Sequence, residues 1–346
     1  MLPITSMGAT MKDRRILLGH GAGGKLSHDL VRDVFLPFLD NNLLHPLDDS
    51  AIIPAQRCRL AFTTDSYVVK PLFFPGGDIG RLAVCGTVND LAMAGAMPLG
   101  LAASFILEEG FPVEDLEKVV SSMKEAAGEA GVAVIAGDTK VVERGAAEGL
   151  YVTTTGVGVI PDGVDIQGCN AKPGDAVVAS GVLGDHEIAV LIARGEFSLK
   201  GAVQSDCAPL NGLVEAMLAV CPDLHVLRDP TRGGLATVLW EIANASRVGV
   251  VIEEASVPFR EEVGAVCDLL GFDPYYLANE GKLVAFVPQE KADVLLGAMR
   301  AHHLGKAATV IGEVKAENPG RVLLKTTIGG HRLLEPLSGE QFPRIC

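Results

Sequence analysis

Twice along this chain, β-branched runs of strand length alternate with amphipathic helical patterns. The turn signals Pro161-Asp162-Gly163 and Lys172-Pro173-Gly174-Asp175 separate the two runs. Strands interleaved with helices bury their faces against those helices, so the pattern demands two layered α/β units. The length agrees, because 346 residues exceed what one core usually organises.

In the first run, Arg59–Thr64 and Tyr67–Lys70 read as strands. Asp78–Ala94 reads as a helix of small residues stopped by Gly95, and Val113–Ala130 as a helix stopped by Gly131. Val132–Ala136 reads as a short buried strand, and Tyr151–Ile160 as one long enough to cross a sheet. In the second run, strands at 176–180, 226–228, 248–253, 283–287, 308–311 and 321–325 alternate with helices near 184–194, 209–220, 232–246, 260–270 and 290–302. The expected organisation is an N-terminal glycine-rich segment (1–44), a first domain (45–165), a second domain (170–335) and a tail (336–346). The tail holds two prolines, a glycine and no periodicity, and is expected to be flexible.

Charge and cysteine usage exclude several classes. The net charge is −14 with no block of Lys or Arg, which argues against a nucleic-acid or anionic-membrane surface. No stretch approaches the roughly 20 apolar residues of a membrane span, and MLPITSMGATMKDRR is neither a signal peptide nor an anchor. Seven cysteines without a CxxC pair fit neither a disulfide framework nor a zinc cluster, so a reducing cytoplasm is expected. An acidic protein that binds a nucleotide needs local help from Mg²⁺, backbone N–H groups or a few lysines.

Two features point to such binding. The turn from Gly19 to Leu26 nearly fits a P-loop but puts Leu26 where the Mg²⁺-binding hydroxyl belongs. It also fits GxGxxG, without a proper strand before it. A plain flexible turn and a phosphate-covering loop of another kind, with Lys25 near the anion, remain open. The second feature is a series of short acidic motifs: Asp48-Asp49-Ser50-Ala51, Thr63-Thr64-Asp65-Ser66, Asn89-Asp90-Leu91, Gly137-Asp138-Thr139-Lys140 and Asp229-Pro230-Thr231-Arg232-Gly233-Gly234. Singly, each is an N-cap or an Asx-turn. Asp90 differs, because it lies inside the apolar segment Leu82–Met97, where a carboxylate is costly without a cation. Together they suggest carboxylates converging on Mg²⁺ and a polyphosphate.

These motifs, in this order, resemble those of the AIR-synthase-like (PurM-type) ATP-binding superfamily. Within it the chain most resembles the HypE family of [NiFe]-hydrogenase maturation proteins, through GHGAGGK, DDSA, TTDSYVV, GTVNDLAM, GDTKVV, DPTRGG, NEGK and the final PRIC. The resemblance runs from about residue 17 to 346. It implies an α/β (α+β layered) fold of two PurM-type domains: an N-terminal ATP-binding sheet domain and a C-terminal α/β domain. ATP and Mg²⁺ are the implied cofactors, with Asp49, Asp90 and Asp229 as metal ligands. Gly21, Gly23, Gly24, Lys25, Asp48, Asp65, Asn89 and Asp138 are then nucleotide-side residues. Glu280 is the implied base, acting with Lys140, while His20 and His186 are weaker catalytic candidates with a structural alternative. Cys346 is implied to accept a carbamoyl group from the HypF carbamoyltransferase and to carry it through ATP-dependent dehydration to a thiocyanate. The cyanide equivalent then passes toward the HypC–HypD complex and hydrogenase iron. A homodimer paired through the first-domain sheets is implied too. Two other readings are kept: a selenophosphate synthetase, which wants a cysteine in the glycine loop that this loop lacks, and a docking scaffold with vestigial ATP use.

Overall fold

The structure is a computed structural model that describes residues 24–35, 46–54, 58–195, 203–337, 342 and 345–346. The chain begins there with a short helix, α1 (Lys25–Leu30). The first unit is a five-stranded sheet built from β1 (Ala51–Pro54), β2 (Arg59–Tyr67), β5 (Met97–Glu108), β6 (Val134–Val142) and β7 (Leu150–Ile160), in the order β1-β2-β7-β5-β6. A two-residue ribbon, β3 (Phe73–Phe74) with β4 (Gly77–Asp78), leads into helix α2 (Ile79–Met93). Asp78 caps that helix by accepting from the Gly80 and Arg81 amides.

Helix α2 is buried nearly all round, as its run of small and apolar residues requires. One side packs on the inner face of the first sheet and the other on the second unit. Leu91, Ala92 and Met93 share a core with Leu210, Leu213, Met217 and Leu283. Helix α3 (Val113–Ala130) lies beside it with only one stripe buried, and ends at Gly131 in the left-handed conformation (φ 67°).

The second unit is a mixed seven-stranded sheet. Its strands are β8 (Asp175–Ala179), β9 (Val226–Arg228), β10 (Gly249–Glu253), β11 (Val284–Pro288), β12 (Thr309–Lys315), β13 (Val322–Lys325) and β14 (His331–Leu334), in the order β14-β13-β10-β12-β8-β11-β9. Helices α4 (Asp185–Arg194), α5 (Asn211–Val220), α6 (Gly234–Ser246), α7 (Glu261–Leu270) and α8 (Ala292–Ala301) complete it. β8 and β11 are buried along nearly their whole length, the state of central strands. Among the described residues no helix is long and apolar enough to cross a membrane.

One strand departs from expectation in a way that matters below. β6 is not short and buried. It is a nine-residue edge strand, exposed from Val134 to Val141 and half-exposed at Val142. Nothing covers it among the described residues of this chain. Residues 55–57 and 196–202, and most of the tail, lie outside the described set. Phe342, Ile345 and Cys346 within the tail are described, and all three are buried.

Candidate active site at the domain seam

The acidic motifs converge where α2 passes between the two sheets. Asp49 precedes β1, Asp90 lies in the last turns of α2, and Asp229 follows β9. One oxygen from each lies within 4.8 Å of the others. At that separation two full negative charges repel by about 3.5 kcal/mol at an effective dielectric near 20. The protein opposes this only in part. Arg228 forms an ion pair with Asp49, and the Thr63 hydroxyl donates to Asp90 Oδ2 at 2.7 Å. Burial pushes all three carboxyls up; Asp49 adds to this at Asp90 and Asp229, and Glu241 adds to it at Asp49. Asp90 lies well above the usual range, and Asp229 is pushed up to about 8. Three clustered carboxylates, held by separate elements and short of cationic partners, are a donor set suited to a hard divalent ion.

A second group of residues, around Glu280, lies close to the trio. Glu280 stands just before β11, 3 % exposed. Its backbone N–H donates to Asp206 Oδ1 at 3.1 Å, while its Oε1 is buried with no hydrogen-bond partner among the described residues. Burial pushes its carboxyl well up, with Asp229, Asp206 and Asp65 adding and Arg232 opposing. Cys346 is 8 % exposed and lies near enough to Arg232 and Glu280 to feel their charges. Its thiol is pushed up by burial. Arg232 counters that shift, while Glu280, Asp65 and Glu187 reinforce it. Asp65 sits toward the end of β2 on the face turned to α2, accepting from its neighbour Ser66 N–H at 2.7 Å. The chain end, the unpartnered glutamate and the trio of aspartates thus share one seam.

Other expected residues are placed differently. Asn89 is buried, and its amide group donates to the carbonyls of Ala208 and Glu280 while accepting from Leu210 N–H at 2.7 Å. With both hydrogens engaged, it ties α2 to the Glu280 loop rather than presenting itself to a nucleotide. Asp48 is not one of the clustered ligands: it accepts from Gly168 N–H at 3.1 Å and lines a small cavity with Asp49 and Arg228. Gly24 packs against the tail: a Cβ there would stand 2.4 Å from the Leu337 carbonyl, the same oxygen that accepts from Lys25 N–H at 2.9 Å. The Lys25 side chain is exposed. Gly21, Gly23 and His20 lie outside the described residues.

Lys140 and Asp138 are the clearest departure. They pair with each other at 2.6 Å on exposed β6. Register places Asp138 beside Ser104 and Lys140 beside Ile106, both on the outer face of the sheet, whereas Asp65 shares the inner face with Thr63 and buried Thr154. Strand alternation therefore puts Lys140 and Glu280 on opposite faces of the first sheet.

Arg232 and Arg228 are the functional-site neighbours that motif reading does not single out. Arg232 stands within the DPTRGG motif, directly before two glycines. Gly234 is needed there: its φ is +60°, and a Cβ would stand 2.6 Å from the Tyr276 backbone. That tight turn starts α6 and sends Arg232 toward the thiol.

Comparison with known proteins agrees with this architecture. Residues 47–160 match the N-terminal domain of AIR synthase related proteins, and residues 172–325 match the C-terminal domain. A carbamoyl dehydratase HypE from Cupriavidus necator is 53 % identical over 338 residues, covering 97 % of this chain and 96 % of its own. A crystal structure of a HypE–HypF complex contains a chain 48 % identical, with a TM-score of 0.85, covering 89 % of this chain and 99 % of that one. A HypE crystal structure in complex with ATP is 49 % identical, with a TM-score of 0.81, covering 96 % and 100 %. The chain belongs to the AIR synthase related family and, within it, to the HypE family of hydrogenase maturation proteins.

Proposed function

We propose that the chain dehydrates an S-carbamoyl group on its own Cys346 to a thiocyanate, using ATP. The observation that carries this reading is the place of Cys346, buried beside Glu280 and Arg232 and adjoining the Asp49–Asp90–Asp229 trio. The reaction balances as R–S–C(=O)–NH₂ plus ATP giving R–S–C≡N, ADP and phosphate. The carbonyl oxygen leaves on phosphorus and the nitrogen gives up both protons. Glu280, whose Oε1 is unpartnered, is positioned to take a proton from nitrogen. Arg232 stabilises negative charge at the activated oxygen. Mg²⁺, held by Asp49, Asp90 and Asp229, supplies charge compensation for the triphosphate when bound. Asp65 lines the nucleotide side, and the family resemblance assigns its covering loop to the glycine-rich segment that runs into Gly24 and Lys25.

The HypE–HypF complex among the relatives supports HypF as the carbamoyl donor. Delivery to HypC–HypD follows from the family reading. Intact-mass analysis of the last peptide tests the chemistry after incubation with HypF, carbamoyl phosphate and ATP. A carbamoyl gain followed by loss of one water is expected, and a stable carbamoyl adduct with ATP present would overturn it.

Metal binding has a pH signature. The trio's raised pKa values mean that the metal-free folded state keeps protons which the unfolded chain releases above roughly pH 4. Bound protons then favour the folded state, so stability falls as pH rises toward about 8, where Asp229 titrates. A divalent ion at the trio offsets this loss. Millimolar Mg²⁺ is therefore expected to raise Tm more at pH 8 than at pH 6, measured against EDTA. An equal shift at both pH values would count against the trio as the binding site.

A homodimer is part of the same proposal. The outer face of the first sheet exposes Phe62 and Ile106 and half-exposes Val157 and Val159, an apolar surface suited to a second copy. Lys140 on that face then serves the partner's Glu280 pocket rather than its own. Mixing Lys140→Met with Glu280→Gln chains is expected to restore up to about a quarter of native activity, because half the dimers are mixed and each has one intact site. No recovery after verified subunit exchange would place Lys140 outside the chemistry.

A further inference from the structure

We infer that His186 is the receptor for the segment ending in Cys346, a positioning residue that holds the thiol in the pocket through a backbone hydrogen bond. His186 lies in the first turn of α4 and is fully buried. Its Nε2 stands 2.7 Å from the Ile345 carbonyl oxygen. Its Nδ1 stands 2.8 Å from Ser205 Oγ, which also accepts from Cys207 N–H at 3.1 Å. The edge of Phe74 meets the imidazole at 5.4 Å with an interplanar angle of 88°.

These contacts determine the tautomer. A carbonyl can only accept, so Nε2 carries the hydrogen. Burial holds the ring neutral by pushing its pKa down, so Nδ1 accepts from the Ser205 hydroxyl. Among the described residues, Ser205 of the domain partners Nδ1 and the Ile345 carbonyl of the tail partners Nε2. Withdrawal of the tail leaves a buried N–H without that acceptor, which disfavours the withdrawn state.

Two further contacts flank this one. Val68 N–H donates to a main-chain oxygen of Cys346 at 3.3 Å. Upstream, the Arg194 guanidinium lies 3.9 Å over the Phe342 ring, whose other neighbour is Phe272 at 6.4 Å. Arg194 is itself oriented by donating from Nε to the Lys70 carbonyl at 2.7 Å. The tail is therefore gripped at a side chain and at two successive main-chain oxygens. Because these oxygens are backbone atoms, the grip sets where the Cys346 sulfur sits while leaving the thiol free to carry a group. If Cys346 is the carrier proposed above, His186 sets the division of its time between the pocket and delivery.

The test uses the full-length chain with an unmodified thiol and needs neither ATP nor HypF, so failure of the dehydration chemistry leaves its result unchanged. Alkylation of Cys346 by iodoacetamide is followed by peptide mass, with exposed Cys169 as the internal reference. His186→Leu is expected to speed Cys346 alkylation about tenfold relative to Cys169, equivalent to about 1.4 kcal/mol in the docking equilibrium. His186→Gln keeps a donor near the Nε2 position and is expected to stay within about threefold of native. A native rate in His186→Leu, or an equal rise in both variants, would overturn the inference. A spectroscopic arm avoids substitution in the fold. Nitrogen NMR of the native chain is expected to show His186 as the Nε2–H tautomer with a slowly exchanging proton. A chain lacking Ile345 and Cys346 is expected to lose that slow exchange, and retention of it would equally refute the contact.

Discussion

Cys346→Ala is expected to abolish thiocyanate formation, a loss of at least about 10³-fold, while leaving ATP binding intact. Cys207 also feels the charge of Glu280, but its thiol is engaged with Cys85. Cys85, Cys207 and Cys267 are buried in the core, and Cys169 is exposed in the segment between the two domains. The trio of aspartates and Arg228 do not depend on the tail for their contacts, so a nucleotide-induced rise in Tm should survive the substitution. Appending residues after Cys346 should be nearly as damaging. A Cys346 main-chain oxygen already accepts from Val68 N–H, and the residue is buried within reach of the charges of Arg232, Glu280 and Asp65. An added peptide must either displace these groups or pull the thiol out. Intact-mass analysis after treatment with HypF, carbamoyl phosphate and ATP separates the outcomes. A Cys346→Ala chain that still gains a carbamoyl group and then loses water would place the carrier elsewhere.

Much of this fold is legible because helices announce both ends. Val113–Ala130 can be read to the residue from its apolar stripe and from Gly131, which supplies the left-handed cap. Helix α2 is legible from Asp78 and Gly95 even though its small residues show little amphipathic pattern. The longest strand of the first sheet escapes a pattern reading. β5 contains Pro98 and Gly100, which break the alternation of Met97–Glu108, and the structure shows why they are tolerated: the register with β7 shifts between them. β6 misleads for a different reason. Val134-Ile135-Ala136 is apolar, and apolarity reads as burial whether the covering surface belongs to the same chain or to another. In the site, Asp90 is legible as a carboxylate in an apolar helix. The tie made by Asn89 is not, since its partners Ala208, Leu210 and Glu280 lie over a hundred positions away and touch it only through their backbones. His186 is visible as a residue but not as a receptor, because its partner is a carbonyl that any residue at position 345 would provide.

Glu280→Gln is expected to lower the dehydration rate by about 10²–10⁴-fold, the usual range for a positioned base, and to let the carbamoylated chain accumulate. The substitution preserves shape and the backbone contact with Asp206, so folding and ATP binding should persist. The pH dependence distinguishes a base from a merely structural carboxylate. Burial and the neighbouring Asp229, Asp206 and Asp65 raise the Glu280 pKa well above the ordinary carboxylate value. A base must be deprotonated to act, so the native rate should climb with pH through that raised pKa and level off above it. Glu280→Gln should remove this limb. Arg232 works in the opposite direction, since its charge favours the carboxylate form of Glu280. Arg232→Met should therefore move the limb to higher pH as well as lowering the plateau. These two effects have different origins: the first is a shift in a proton equilibrium, and the second is the loss of charge stabilisation at the reacting oxygen. A profile in which Arg232→Met lowers the plateau with no movement of the limb would separate Arg232 from the base. A Glu280→Gln enzyme that keeps the native limb would remove Glu280 from the proton transfer altogether.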